Sequence, residues 1–211
     1  MRGKTAAKEY ETVKNKLKKN NFPKALVAFG SARIPYDDPH IQEVIEMGGD
    51  CAKHALKNNR KISFVTGGGP SIMTAWLERP HKLGADTGAM ALQLPHEARK
   101  DQLKFCNLKT SHIFQTFQAR KAILIEYAKA IIIFKGGFGT LDELFEVIAL
   151  IKTKRIKNIP ILIYPGKFYK DILNFKTFLE AGTITPEEAK VVTFFDKKEE
   201  LFKALCNIID N

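Results

Sequence analysis

Ile131-Ile132-Ile133-Phe134 runs directly into Lys135-Gly136-Gly137-Phe138-Gly139-Thr140-Leu141-Asp142-Glu143, and an apolar-periodic stretch follows. A strand-like apolar run, a glycine turn and a helix start are the βα joint of a layered α/β fold. The joint also sets up chemistry. Glycines let backbone N–H groups approach an anion without interference from a Cβ, and the helix start adds unpaired donors and the positive end of its dipole. Glu143 falls one turn inside that helix, beside any phosphate held there. The same residues admit a plainer reading, because Thr140 to Glu143 spells a T-x-x-E capping box. That reading accounts for Thr140 and Glu143 but not for Gly136, Gly137 and Gly139.

Two further turns repeat the pattern. Thr66-Gly67-Gly68-Gly69-Pro70-Ser71 follows the strand-like Lys61-Ile62-Ser63-Phe64-Val65, and Pro70 suits the first position of a helix. Gly30-Ser31-Ala32-Arg33 follows the apolar Ala25-Leu26-Val27-Ala28-Phe29. In a parallel sheet all three turns lie at the carboxyl edge, where ligands bind.

Alternation continues along the chain. Helices are expected over residues 41–57, after Pro70, over 114–129, 140–152, 168–179 and 197–209. Strands are expected over 88–94, 130–134 and 159–164, with a short additional one over 103–109. Strands alternating with helices predict an α/β fold with a doubly wound, mostly parallel sheet and helices on both faces, in the Rossmann-like manner, since parallel neighbours need crossover connections. With 211 residues and 45% hydrophobic content the chain can bury one sizeable core. We expect a single nucleotide-binding domain over 24–211, preceded by a basic helical extension over 1–23.

The 34 Lys and Arg against 23 Asp and Glu give a formal charge of +11, which favours anionic ligands. The basic residues are dispersed and no zinc-finger or RRM signature is present, so specific nucleic-acid binding is not indicated. The densest basic stretch, Lys14 to Lys19, reads as a solvated helix face, with Val13 and Leu17 at i, i+4 spacing. Cys51, Cys106 and Cys206 lack metal or redox spacing and read as incidental thiols of a reducing compartment. No metal site is expected. Met1-Arg2-Gly3-Lys4 has no apolar run behind it, and nothing approaches the ~20 apolar residues of a membrane span, so no membrane partner is expected and the location is expected to be cytoplasmic.

Taken together, Phe29-Gly30-Ser31-Ala32-Arg33, Thr66-Gly67-Gly68-Gly69-Pro70-Ser71-Ile72-Met73, Leu94-Pro95-His96-Glu97, Phe117-Gln118-Ala119-Arg120-Lys121 and the turn at residues 136–143 resemble the LOG family of nucleotide phosphoribohydrolases, whose members are often labelled lysine decarboxylases. The resemblance covers about residues 24–205 and is closer to the long bacterial branch. It implies hydrolysis of the N-glycosidic bond of a nucleoside 5′-monophosphate, AMP or a cytokinin-type nucleotide, to free base and ribose 5-phosphate. It also implies a homodimer or larger homo-oligomer with the pocket near the subunit interface, and no cofactor. Glu143 and Arg120 match the family's catalytic pair, and Gly136, Gly137, Gly139 and Thr140 its phosphate turn. Gly67, Gly68, Gly69 and Ser31 would line the nucleotide pocket, with Glu97 and Lys121 near it. By themselves, Arg120 reads as an ordinary basic residue on a helix, Glu97 as a solvated loop carboxylate and His96 as loop surface. Two departures stand out. Lys135 replaces the family's Pro before the glycine pair, and Trp76 to Leu83, with Glu78-Arg79-Pro80-His81, replaces a glycine-rich helix of small residues. A non-catalytic nucleotide-binding or sensing protein of the same fold is the alternative reading. A Rossmann dinucleotide enzyme is disfavoured, because no GxGxxG follows the first strand.

Overall fold

The computed structural model describes residues 2–93 and 103–211. Seven parallel strands form one sheet in the order β4-β3-β2-β1-β5-β6-β7. They are β1 (Ala25–Phe29), β2 (Ser63–Thr66), β3 (Asp86–Leu92), β4 (His112–Phe114), β5 (Ala128–Ile133), β6 (Ile161–Ile163) and β7 (Val192–Phe194). The helices are α1 (Arg2–Lys19), α2 (Pro39–Lys57), α3 (Ile72–Lys82), α4 (Phe117–Tyr127), α5 (Phe138–Lys152), α6 (Gly166–Lys170), α7 (Phe175–Glu180) and α8 (Lys198–Asp210). The order of strands reverses between β1 and β5, which opens a crevice at their carboxyl ends.

The sheet is buried on both faces, which is why its strands read as continuous apolar runs. Successive residues of β5 alternate between two cores. Ala130 and Ile132 join Leu26, Ile41, Ile72 and Leu201 on the side of α2, α3 and α8. Ile131 and Ile133 join Val27, Val13, Ile123 and Leu144 on the side of α1, α4 and α5. Each such isoleucine, fully removed from water, contributes about 1.5–3 kcal/mol. The expected two-faced α/β architecture is therefore the one observed.

Several local expectations are corrected. Residues 103–109 form turns, not a strand. Asn107 organises them: its side-chain oxygen accepts from Lys109 N, and its carbonyl accepts from Thr110 N and the Ser111 hydroxyl. The strand comes later, as β4. Helix α4 starts at Phe117 instead of 114 and stops at Tyr127, where the chain passes into β5 without a loop. The helix expected over 168–179 is two short ones, α6 and α7.

Trp76 to Leu83 departs from small-residue character, and the structure shows where the small residues went instead. Trp76 is fully buried between Phe64 and Phe134, with ring centroids 5.6 Å from each. Gly48 of α2 gives it room, since a Cβ there would lie 2.6 Å from the Trp76 carbonyl oxygen. The basic N-terminal segment is a helix as expected, though two lysines of its expected solvated face have partners. Val13 and Leu17 are buried, Lys14 pairs with Glu126, and Lys16 donates to the carbonyls of Leu108 and Ser111. No helix among the described residues is long and apolar enough to cross a membrane.

Candidate active site

Helix starts that follow strands at the carboxyl edge offer unpaired amides, and side chains already occupy several of them. Asp38 accepts from His40 N at the start of α2. Glu9 accepts from Gln115 N and Thr116 N ahead of α4. Asp196 accepts from Lys167 N in α6, and α8 carries Glu199 and Glu200 in its first turn. Helices α3 and α5 have neither a side-chain cap nor an acidic residue in the first turn. They follow Gly67-Gly68-Gly69 and Gly136-Gly137, and α4, which likewise has no cap of its own, has Glu9 against the two amides ahead of it. The glycine turns thus lead into the open anion sites of the edge.

Each turn has its own construction. At α5, Gly137 is the N-cap, and Leu141 N closes the first turn on its carbonyl at 3.0 Å. The amides ahead of Leu141 have no intrahelical acceptor. Gly136 accommodates Thr140, whose hydroxyl would lie 2.2 Å from a Cβ there, so Thr140 is folded under the turn and buried. Over Gly137 and Gly139 a Cβ would meet nothing within 4 Å, which leaves room for a ligand. At α3, Gly68 has φ +74° and Ser71 φ +61°, the second a conformation that costs a non-glycine residue energy. The Ser71 hydroxyl donates to Ile34 O at 2.8 Å and holds it there. Ser31 joins all three turns: its N–H donates to Lys135 O at 2.8 Å, its carbonyl accepts from Ile72 N at 3.3 Å, and its hydroxyl accepts from Arg33 N at 3.0 Å.

Arg120 and Glu143 meet between these turns. Arg120 lies on α4, is 8% exposed, and donates from Nε to Met90 O at 2.8 Å and from Nη1 to Glu143 Oε1 at 2.6 Å. Gly67 makes this possible, since a Cβ at that position would stand 2.0 Å from Arg120 Nη2. The Glu143 side chain is 12% exposed. Burial raises its pKa above the ordinary carboxylate range, and the Arg120 guanidinium offsets part of that rise. The capping-box alternative is overturned. The helix begins at Phe138, two residues before Thr140, with Gly137 as N-cap, and Glu143 turns to Arg120.

The other expected residues divide. Lys121 pairs with Asp142 at 3.1 Å and Glu146 at 2.6 Å, so it clamps α4 to α5. His96 and Glu97 lie outside the described residues. Lys135 is half-buried, and its charge helps burial hold the His40 imidazole low. Sequence reasoning missed the Met90 carbonyl, which bears no side-chain signal, and Met73, whose sulfur stands 3.4 Å from Gly69 N. The three cysteines are unpaired thiols, with Cys51 and Cys106 buried. Among the described residues no cluster of His, Cys, Asp or Glu could hold a metal.

A family model described as "Possible lysine decarboxylase" matches residues 73–205, more than half of the chain, including Arg120 and the whole turn through Glu143. The chain belongs to this family. It is the LOG family that the motifs resemble. A LOG relative, the probable cytokinin riboside 5′-monophosphate phosphoribohydrolase LOG4 of Oryza sativa subsp. japonica, is 27% identical over 154 residues, covering 69% of this chain and 63% of the relative. The match therefore spans less than two thirds of that relative. Among solved structures, TM1055 superposes with a TM-score of 0.57 at 17% identity, over 86% of this chain and 98% of the other. The Moco carrier protein of Chlamydomonas reinhardtii gives 0.56 at 15% identity, over 89% and 98%. At such identities these two share the fold of this LOG-family chain and nothing finer.

Proposed function

We propose that the chain is a nucleoside 5′-monophosphate phosphoribohydrolase, adding water across the N-glycosidic bond to yield free base and ribose 5-phosphate. The observation that carries this reading is the nearly buried Arg120–Glu143 pair, set between two helix starts that no side chain caps. A phosphate on the amides of Gly137, Phe138, Gly139 and Thr140 puts the ribose close to Glu143, one turn further along α5. Breaking the bond builds positive charge on the ribose, which a carboxylate stabilises while it orients or deprotonates the attacking water. The hydroxyl of that water goes to the sugar carbon and its proton to the departing base. Arg120 holds Glu143 in place and is near enough to bind phosphate or ribose. Gly67, Gly68, Gly69 and Ser31 form the opposite wall, Lys121 stands at its margin, and AMP or a cytokinin-type nucleotide is the substrate. Unpaired thiols suit a cytoplasmic location.

Purified protein incubated with a panel of nucleoside monophosphates is expected to release base and ribose 5-phosphate, and to prefer each monophosphate to its nucleoside. The phosphate anchor positions the reacting carbon, so equal rates on AMP and adenosine would overturn the anchor. One observation favours a second reading: Glu143 already has a guanidinium partner, as it would in a nucleotide-binding protein without catalysis. Nucleotide binding with no base released from any monophosphate would establish that alternative.

We also propose a homodimer. Helix α5 has a broad apolar face yet buries only Thr140, Leu144 and Val147, leaving Phe138 95% and Phe145 43% exposed. Such a helix calls for a further covering surface. Beside it Phe145, Ile148, Phe175 and Phe178 line a groove of about 410 Å³. Light scattering at micromolar concentration is expected to give twice the chain mass or more, and a stable monomer would count against the proposal.

A further inference from the structure

Helix α1 lies along α4 and grips it at both ends. At one end the Glu9 carboxylate, 13% exposed, accepts from Gln115 N at 2.7 Å, Thr116 N at 3.1 Å and the Thr116 hydroxyl at 2.6 Å. At the other end Tyr10 donates to Glu126, Lys14 pairs with Glu126 at 2.8 Å, and Lys24 donates to the Glu126 carbonyl at 2.6 Å. Thr116 is the N-cap of α4, where a threonine hydroxyl ordinarily accepts from its own helix. Here that hydroxyl donates to Glu9, and no side chain caps the helix from within. The Thr116 carbonyl in turn accepts the N–H of Arg120 at 3.3 Å. A continuous chain of contacts therefore runs from Glu9 through Thr116 and Arg120 to Glu143.

We propose that Glu9 is a positioning residue for the Arg120–Glu143 pair, fixing the first turn of α4 so that the guanidinium meets both the Met90 carbonyl and the carboxylate. The proposal rests on the phosphoribohydrolase reading only for its kinetic consequences. Three donors converge on two carboxylate oxygens, so an amide in the same place must turn its NH₂ toward one of them. Glu9→Gln therefore loosens the joint while keeping shape and fold. Glu126→Gln loosens the far end of α4, beyond Arg120, and serves as the control. Neither residue touches substrate in the proposed mechanism.

Glu9→Gln is expected to lower kcat/KM on the best monophosphate about 10-fold or more, within the range that small misplacements of reacting groups produce. Glu143 faces Arg120 and Lys121 of α4 and Asp142 of its own helix. With Arg120 loosened, the acidic limb of the pH–rate profile should move to higher pH. Glu126→Gln should leave that limb in place, and Glu9→Asp, which keeps the charge, should recover part of the rate. A wild-type rate in folded Glu9→Gln, or an equal loss in Glu126→Gln with the limb unmoved, would overturn the proposal. Amide hydrogen exchange tests it without turnover: protection at Arg120 and Lys121 should fall in Glu9→Gln and not in Glu126→Gln, and equal protection in both would also overturn it. If the wild-type protein releases no base from any monophosphate, the functional reading fails, while hydrogen exchange still decides whether Glu9 positions Arg120.

Discussion

Glu143→Gln is expected to lower the rate of base release by at least about 10²-fold, the scale of losing a general acid–base or charge-stabilising group. The replacement keeps the shape of the side chain and leaves an oxygen for Arg120 Nη1, so it removes charge without removing the joint between α4 and α5. Near-normal turnover in the folded variant would return Glu143 to a structural role. The same variant gives a second reading through stability. Burial raises the folded pKa of Glu143 above the ordinary carboxylate value. The fold thus favours the protonated form, and the stability this carboxyl contributes is fully present below its unfolded pKa and lost as pH rises through the folded one. Glutamine does not titrate. The Tm of Glu143→Gln relative to wild type should therefore climb with pH across that window, measured from about pH 4 to about pH 8 around the reference carboxylate value. A flat difference would mean that Arg120 cancels the cost of burial completely.

The parts of the fold legible in the sequence are those in which a local signal and the tertiary environment agree. β1 and β5 are apolar runs and β2 a short strand-like one, each ahead of a glycine turn, and a strand buried on both faces needs little more than that. Thr140 and Glu143 show where local reasoning divides. Their spacing satisfies a capping box, but the helix starts at Phe138 because Gly137 can serve as N-cap and Thr140 packs under Gly136. Only the arrival of Arg120 from another helix decides the direction of Glu143. Strands β4 and β7 are three residues each, too short for any alternation to register. Residues 103–109 carry apolar residues at strand-like density, yet Asn107 draws the following backbone into a turn through contacts a strand pattern does not reveal.

The candidate site follows the same division. Its glycines are legible because only a small set of residues allows such turns, and Gly68 at φ +74° is a position where the need is conformational. The Met90 carbonyl and the grip of Glu9 on Thr116 are not legible, since both depend on segments brought together by the sheet order. Lys121 illustrates a third case. Its neighbour in sequence points to the site, while its own ammonium is neutralised by Asp142 and Glu146 on α5.

Gly67→Ala separates the role of the glycine turn from the role of the phosphate anchor. A Cβ at Gly67 would stand 2.0 Å from Arg120 Nη2, 3.2 Å from Cζ and 3.3 Å from Met73 Sδ. All three belong to flexible side chains, and the backbone of Gly67 is not among the positive-φ glycines. The added methyl is therefore relieved by swinging the guanidinium aside and not by breaking the strand–helix joint. Gly48 shows the contrast, because the atom met there is the Trp76 backbone carbonyl, which has no rotamer to adopt. Displacing Arg120 strips Glu143 of its Nη1 partner at 2.6 Å and leaves the buried carboxyl to desolvation, with only the opposed charges of Asp142 and Lys121 beside it. We expect Gly67→Ala to fold with a lowered Tm, because breaking a buried ion pair leaves its carboxyl uncompensated, and to lose about 10²-fold in kcat/KM, the cost of moving a reacting group by ~1 Å. Its acidic limb should shift upward further than in Glu9→Gln, since the methyl acts on the guanidinium directly and Glu9 acts through a helix turn. Full activity in Gly67→Ala would show that the Arg120–Glu143 contact is dispensable, and the phosphate turn at α5 would then have to position the ribose without it.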